Sequence, residues 1–333
     1  MIRSIVLMWV ITLAGIANVT ANDGHADTMV TVKIVGEDSQ PIENVNVSIG
    51  FLCIGKENST GQKGLSDSQG KYSASGKSYC GDVSFSAVKD GYYETLEAKM
   101  IKNSQDKIEQ KNGKWQPWNP TYEVVLKKII NPVPMYAKLV DTKIPELNKD
   151  LSFDFIVGDW VAPYGKGKDR DVTIKFEGYF KDGNNWQENL YFKFSNSGDG
   201  IQSYVIENYE VDRGSEFQMP RNAPLDGYTN PFELLRKRED GVIGDNLKQK
   251  AGQCFFFRIR SKVDAQGNII EAMYGKIRSK IVTHPREPYI KFTYYLNPDK
   301  TRNLEFDPKK NLFTLEKPTD VSIKSDQYKI SAP

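Results

Sequence analysis

The sequence is poor in histidine and cysteine, and its charges almost cancel. Two histidines occur in 333 residues. His25 follows the apolar start of the chain, so His284, in THPRE, is the one expected within a folded unit. A histidine-rich zinc site cannot be assembled from it, and no metal or cofactor is expected. A Ser-His-Asp triad would need His284 as its base, but its place ahead of Pro285 reads as loop. With 45 Lys+Arg against 43 Asp+Glu, interspersed, no basic stripe points to nucleic acid. Apolar runs long enough for a membrane span are missing after the first residues, which excludes an integral membrane role for the mature chain.

The start is different. Met1-Ile2-Arg3 gives a short positive segment, Ile5 to Val19 is almost wholly apolar, and Val19-Thr20-Ala21 offers small residues for cleavage. Residues 1–21 therefore read as a secretory signal, with 22–28 a flexible N-terminus and the mature protein periplasmic or secreted. Three cysteines in an exported chain invite pairing. Cys53 and Cys80 are expected to form a disulfide, worth roughly 3 kcal/mol for a loop of that size. Cys254, beside Phe255, Phe256 and Phe257, is expected as a buried small hydrophobe with no histidine near to activate it.

What remains is rich in short alternating segments. MVTVKIVG, VNVSIGFL, GKYSAS, VSFSAV and YEVVLKKI lie between turn residues with no helix-period stretch among them, which predicts a β-sandwich over 29–130. Ser104 to Pro120 reads as a long loop or extended hairpin. Pro132 and Pro134 make 131–138 a stiff linker, and this sets the domain boundary. Residues 139–333 read as a second β-rich, sandwich-like domain, so the predicted fold class is all-β. Its clearest hairpin is FFFRIRSKVDAQGNIIEAMYGKI, and Asn230 to Arg238 is predicted as its one short helix.

GLSDSQGKYSASG, Gly64 to Gly76, could be a cation loop or a turn. It lacks the twelve-residue ligand spacing and flanking helices of a calcium loop, so it is predicted as a turn with Gly70 in a conformation other residues avoid. The turn belongs to a series: Glu37-Asp38-Ser39-Gln40-Pro41-Ile42, Val45 to Ile49, Ser66-Asp67-Ser68-Gln69-Gly70-Lys71-Tyr72, and Lys89-Asp90-Gly91-Tyr92. Together these resemble the carboxypeptidase regulatory-like domain, a prealbumin-like (transthyretin-like) sandwich. Ser39 stands where that family usually has glycine, and Asn44-Val45 where it has Gly-Ala. The resemblance implies a scaffold or recognition module, and the histidines of a catalytic carboxypeptidase zinc site are missing.

Candidate sites are few. Gly165-Lys166-Gly167-Lys168, within WVAPYGKGKDRD, lacks the spacing and following Ser/Thr of a P-loop and reads as a mobile strand connection. Asp154, Asp159, Glu177 and Glu188 are candidate glycosidase acids, though no spacing selects a pair. Trp115, Trp118, Trp160, Tyr164 and Trp186 fall in or near loops, where flat rings stack on sugars or anchor peptides; Trp115 and Trp118 could instead clasp the two domains together. The resulting expectation is an exported, non-enzymatic binding or structural protein of the cell envelope, contacting a protein or polysaccharide through β-sandwich loops or edges. The alternative is an envelope polysaccharide hydrolase using acids of the second domain. Aromatic rings on an open face favour the first, and carboxylates gathered in a deep cleft the second.

Overall fold

The computed structural model describes residues 25–52, 60–207, 209, 214–245, 250–313, 330 and 333. The expected signal and Cys53 lie outside them. Regular structure among the described residues is all strand. The first nine strands are β1 (His25–Gly36), β2 (Asn46–Phe51), β3 (Thr60–Leu65), β4 (Lys71–Tyr79), β5 (Asp82–Val88), β6 (Thr95–Met100), β7 (Glu109–Lys111), β8 (Lys114–Gln116) and β9 (Thr121–Leu126). There follow β10 (Val133–Lys143), β11 (Leu151–Asp154), β12 (Asp159–Trp160), β13 (Val172–Asp182), β14 (Asn185–Phe194), β15 (Gly200–Val205), β16 (Gly214–Ser215), β17 (Phe232–Glu239) and β18 (Val242–Asp245). The last five are β19 (Gln253–Val263), β20 (Ile269–Ile277), β21 (Val282–Thr283), β22 (Tyr289–Asn297) and β23 (Phe306–Asn311).

β1 pairs antiparallel with β4 and parallel with β9, and a second sheet runs β16-β6-β5-β2-β3. Alternation places Val30, Val32 and Ile34 of the first sheet against Val47, Ile49, Phe51, Val83 and Phe85 of the other in one buried cluster. The anticipated flexible start is strand from His25 on: Thr28 Oγ1 lies 2.7 Å from Ser78 Oγ. The Asp67 turn closes as its sequence requires. Asp67 Oδ1 accepts from the amides of Gln69 (2.9 Å) and Lys71 (2.8 Å), and Gly70 has φ +73°. A Cβ there would sit 2.3 Å from the Ile34 carbonyl oxygen. Gly70→Ala should therefore destabilise the protein by about 1–3 kcal/mol, measurable by urea denaturation.

The β7–β8 hairpin extends the first sheet beside β1, and the other strands form two facing sheets, β15-β19-β20-β22-β10-β23, with β21 also paired to β22, and β12-β11-β13-β14-β17-β18. Phe153, Phe155, Phe176, Phe192, Phe255, Phe257 and Phe292 fill the space between them. β19 is buried on both faces: Phe255, Phe257 and Ile259 join this core, while Cys254 and Phe256 enter a separate cluster with Met219, Ala223 and Leu304. This double cover explains the continuous apolar run CFFF.

Three sequence expectations are corrected. The 131–138 linker is largely β10, which pairs with β22 from Tyr136 on; Pro134 falls in the irregular step between Val133 and Met135, where a missing N–H breaks no ladder bond. The helix at 230–238 is instead strand β17. Its Leu-, Arg- and Lys-rich composition suits a helix, but burial of Leu234 and pairing of Arg236 with Glu188 override propensity. The Cys53–Cys80 disulfide is not supported: Cys80 carries a free, half-buried thiol.

Candidate functional site

Acidic residues of the second half do gather. A cleft of about 210 Å³ is lined by Asp169, Arg170, Asp171, Ser195, Asn196, Asp199 and Arg260. β19 bulges here, with Arg260 at φ +53°. Asp199 fixes the bulge by accepting from the amides of Arg260 (3.1 Å) and Ser261 (2.9 Å). Arg260 then reaches Asp171 (Nε to Oδ1, 2.7 Å), Asp169 (3.0 Å) and Asp154 (3.4 Å).

Asp154 is the hub of the 160–171 segment. Its carboxylate accepts from the amides of Ile156, Val157, Lys168 and Asp169 at 2.9–3.0 Å. Gly167 passes so close that a Cβ would lie 2.8 Å from the Asp159 carbonyl oxygen. The stretch read as a mobile connection is thus wound onto Asp154 and Asp159, the latter accepting from Lys166 N at 2.9 Å. Burial would raise the Asp154 pKa, but the four amides outweigh it and hold it below the ordinary carboxylate value. Asp171 is shifted upward by burial, with Arg260 opposing.

Opposed shifts on neighbouring acids are an acid/base signature. Here, however, both side chains are at most 2% exposed and their oxygens are occupied by Arg260 or backbone amides, so neither reaches a substrate. Asp169 alone among these acids stands out at the rim, bonded to Arg260. The cluster's chemistry is that of a backbone clamp. Glu177 lies apart from it on β13, paired with Lys175, and Glu188 is buried on β14 against Arg236 at 2.7 Å.

The five aromatic candidates do not form one face. Trp115 is 6% exposed in the first core, donating from Nε1 to the Ser78 carbonyl oxygen at 3.0 Å, and so does not clasp the two halves. Trp160, 3% exposed, packs edge-on against Phe153 in the second core. Trp118 is exposed with Lys114 Nζ 4.5 Å from its ring centroid. Tyr164 is half-buried, its hydroxyl bonded to Glu146 and Lys149. Trp186 is half-buried on β14 beneath Arg236, 5.6 Å from the ring centroid. Cys254 is buried, its thiol pushed up to about 11 by burial and donating to the Arg278 carbonyl oxygen. His284 is exposed and stacks on Tyr289; its Nδ1 accepts from the amides of Arg286 and Glu287.

Trp186 belongs to a group that spacing does not reveal. Cross-strand register aligns Phe180, Trp186, Arg238 and Ile243 in one row across β13, β14, β17 and β18. The row lies on the same side of the sheet as buried Phe176, Leu190 and Leu234, beyond the end of the core. Arg238 is held by the carbonyl oxygens of Gly183 and Gly241, both at 3.0 Å, and Arg286 lies 5.9 Å from the Phe180 ring. RKR at 236–238 was the visible signal, hidden because the segment reads as helix.

The two halves are joined by polar contacts. β16, from the second half, adds to β6 of the first, and Phe217 stacks on Tyr93 with ring centroids 5.2 Å apart. Buried Glu305 accepts from Tyr93 Oη (2.8 Å), Ile130 N (2.9 Å), Asn131 N (2.8 Å) and Arg221 Nη1 (3.1 Å). Arg221 also binds Glu37 at 2.6 Å. Burial first, then the bond to Glu305, drives the Tyr93 hydroxyl well above its ordinary pKa. Among the described residues no helix is long and apolar enough to cross a membrane.

No family model and no curated protein matches the chain. Solved structures with some likeness include a streptococcal ancillary pilin, at 9% identity and TM-score 0.22, the match covering 84% of this chain and 62% of that one. The shaft pilin SpaA from Lactobacillus rhamnosus GG matches at 10% identity over 77% of this chain and 88% of its own, with TM-score 0.21. BcpA, the major pilin subunit of Bacillus cereus, matches at 11% identity over 80% and 95%, with TM-score 0.21. The chain thus spans less than two thirds of the length of the streptococcal pilin, and likeness at these scores assigns neither family nor function.

Proposed function

We propose that this chain is an exported, non-enzymatic binding or structural protein of the cell envelope, which holds another macromolecule by contact across its β-sheets. The observation that carries this reading is the state of the acidic cleft: Asp154, Asp171 and Asp199 are spent on backbone amides and Arg260, leaving no exposed acid pair for bond cleavage. The leader-like residues 1–21 support export. The resemblance of residues 29–130 to the carboxypeptidase regulatory-like domain supports a scaffold role, with 139–333 as the partner-binding half.

The test is incubation of the chain from Asn22 onward with isolated envelope polysaccharide and envelope protein, followed by sedimentation and size-exclusion analysis of the polymer. Co-sedimentation with the polymer or a protein, at unchanged polymer length, is expected. Progressive shortening that disappears in Asp171→Asn would overturn the reading in favour of the hydrolase.

A further inference from the structure

The row of Phe180, Trp186, Arg238 and Ile243 crosses four strands, about 14 Å at ~4.8 Å per strand. The loop after β21 closes over one end, with Arg286 against the Phe180 ring. At the inner end Glu188 and Arg236 neutralise each other, and Glu188 is buried. Arg238 is oriented by two backbone carbonyls, and Arg286 is exposed on its loop with a ring as its neighbour. Ile243, 64% exposed, and Phe180, also exposed, stand at the two ends of the row, each an apolar side chain that water solvates poorly.

We propose that this face of the sheet is a binding site for an anionic polysaccharide, a linear sugar chain bearing carboxylates. The proposal rests on the contact function argued above and names its site and ligand class. Two neighbouring flat rings flanked by the guanidinium groups of Arg286 and Arg238 suit a chain that presents apolar sugar faces and negative charge. The carbonyls of Gly183 and Gly241 hold the Arg238 fork in place before a ligand arrives, which lowers the ordering entropy of binding. A peptide that binds by strand addition would engage a sheet edge through its backbone. This row instead runs across the strands and meets a sheet edge at its two ends, Ile243 on β18 and Phe180 on β13, which β11 pairs only over Val172–Ile174.

The experiment measures binding of the chain from Asn22 onward to polygalacturonate by biolayer interferometry, with neutral dextran, polyglutamate and single-stranded DNA as comparison probes. Polygalacturonate should bind, weaken with added salt, and lose affinity about tenfold in Trp186→Ala and in Arg238→Gln. Arg286→Gln lies on an exposed loop, so its about tenfold loss should come with an unchanged melting temperature, separating lost contact from lost fold. Lys63→Gln, on β3 of the first sandwich, should bind as the parent does. Equal binding of dextran, stronger binding of polyglutamate or DNA, or indifference to all three substitutions on this face would overturn the proposal. If those substitutions are silent while envelope material still sediments with the protein uncleaved, the site is wrong and the contact function stands.

Discussion

Glu305→Ala should lower the unfolding free energy by about 3–5 kcal/mol, the range for breaking a buried ion pair from one side. Four donors converge on this carboxylate, from Tyr93, Ile130, Asn131 and Arg221, and three of them lie outside its own stretch of chain by more than 170 residues. Its removal leaves the Tyr93 hydroxyl buried without its acceptor and Arg221 with only Glu37. Glu305→Gln keeps the volume but faces the same donors with an amide that accepts through one oxygen only, so it should lose part of that stability. Urea denaturation of the parent and both variants measures this. A loss below about 1 kcal/mol for Ala would mean that the junction is held by packing, without need of the carboxylate.

Lys276→Met should stabilise the protein at pH 5 by about 1–4 kcal/mol, and the gain should vanish toward pH 10. Lys276 on β20 is 0% exposed, its Nζ donating to the Leu304 carbonyl oxygen at 2.8 Å and lying 5.1 and 5.0 Å from the ring centroids of Phe217 and Tyr295. Burial first, then Arg278, brings its pKa from the ordinary 10.5 down to about 7. Below pH 7 the lysine is charged in both folded and unfolded chains, and the folded protein carries the full desolvation penalty. Between pH 7 and 10.5 the unfolded chain binds more protons, so stability rises by up to about 1.4 kcal/mol per pH unit. Buried Tyr93, Tyr294 and Tyr295, all raised by burial, oppose the trend above their ordinary value of 10.0. The difference between parent and Lys276→Met cancels those tyrosines. A flat difference from pH 5 to 10 would show that Phe217, Tyr295 and Leu304 stabilise the charged amine enough to offset its burial.

The strands of the first half were legible because one face of each is solvent-facing or small, leaving period two intact in VTVKIV and VSFSAV. The Asp67 turn was legible because its side-chain bonds are local. β17 was not: FELLRKRE carries good helix formers, and only its register between β14 and β18 makes it a strand. The Pro132–Pro134 stretch misled similarly, since a strand tolerates proline where its ladder is interrupted. The site was less legible than the fold. Trp115 and Trp160 sit in polar, turn-rich sequence yet fill cores, whereas Trp186, a candidate from the sequence, has neighbours that spacing does not show, Phe180 and Arg238, 6 and 52 residues away. Asp154 was singled out as an acid, but its role as a clamp depends on amides supplied 14 and 15 residues later.

A single rigid body, with both sandwiches joined through Glu305 and Phe217, is what would let the face of β13, β14, β17 and β18 hold a partner at a fixed position relative to the first sandwich. Native-state hydrogen exchange read by mass spectrometry tests this most directly, following amides of β1 and β9 alongside those of β13 and β14 at increasing sub-denaturing urea. Coincident opening of the two sets in the parent protein, and their separation in Glu305→Ala, is the predicted result. Independent opening of β1 and β9 in the parent, well before β13 and β14, would contradict it.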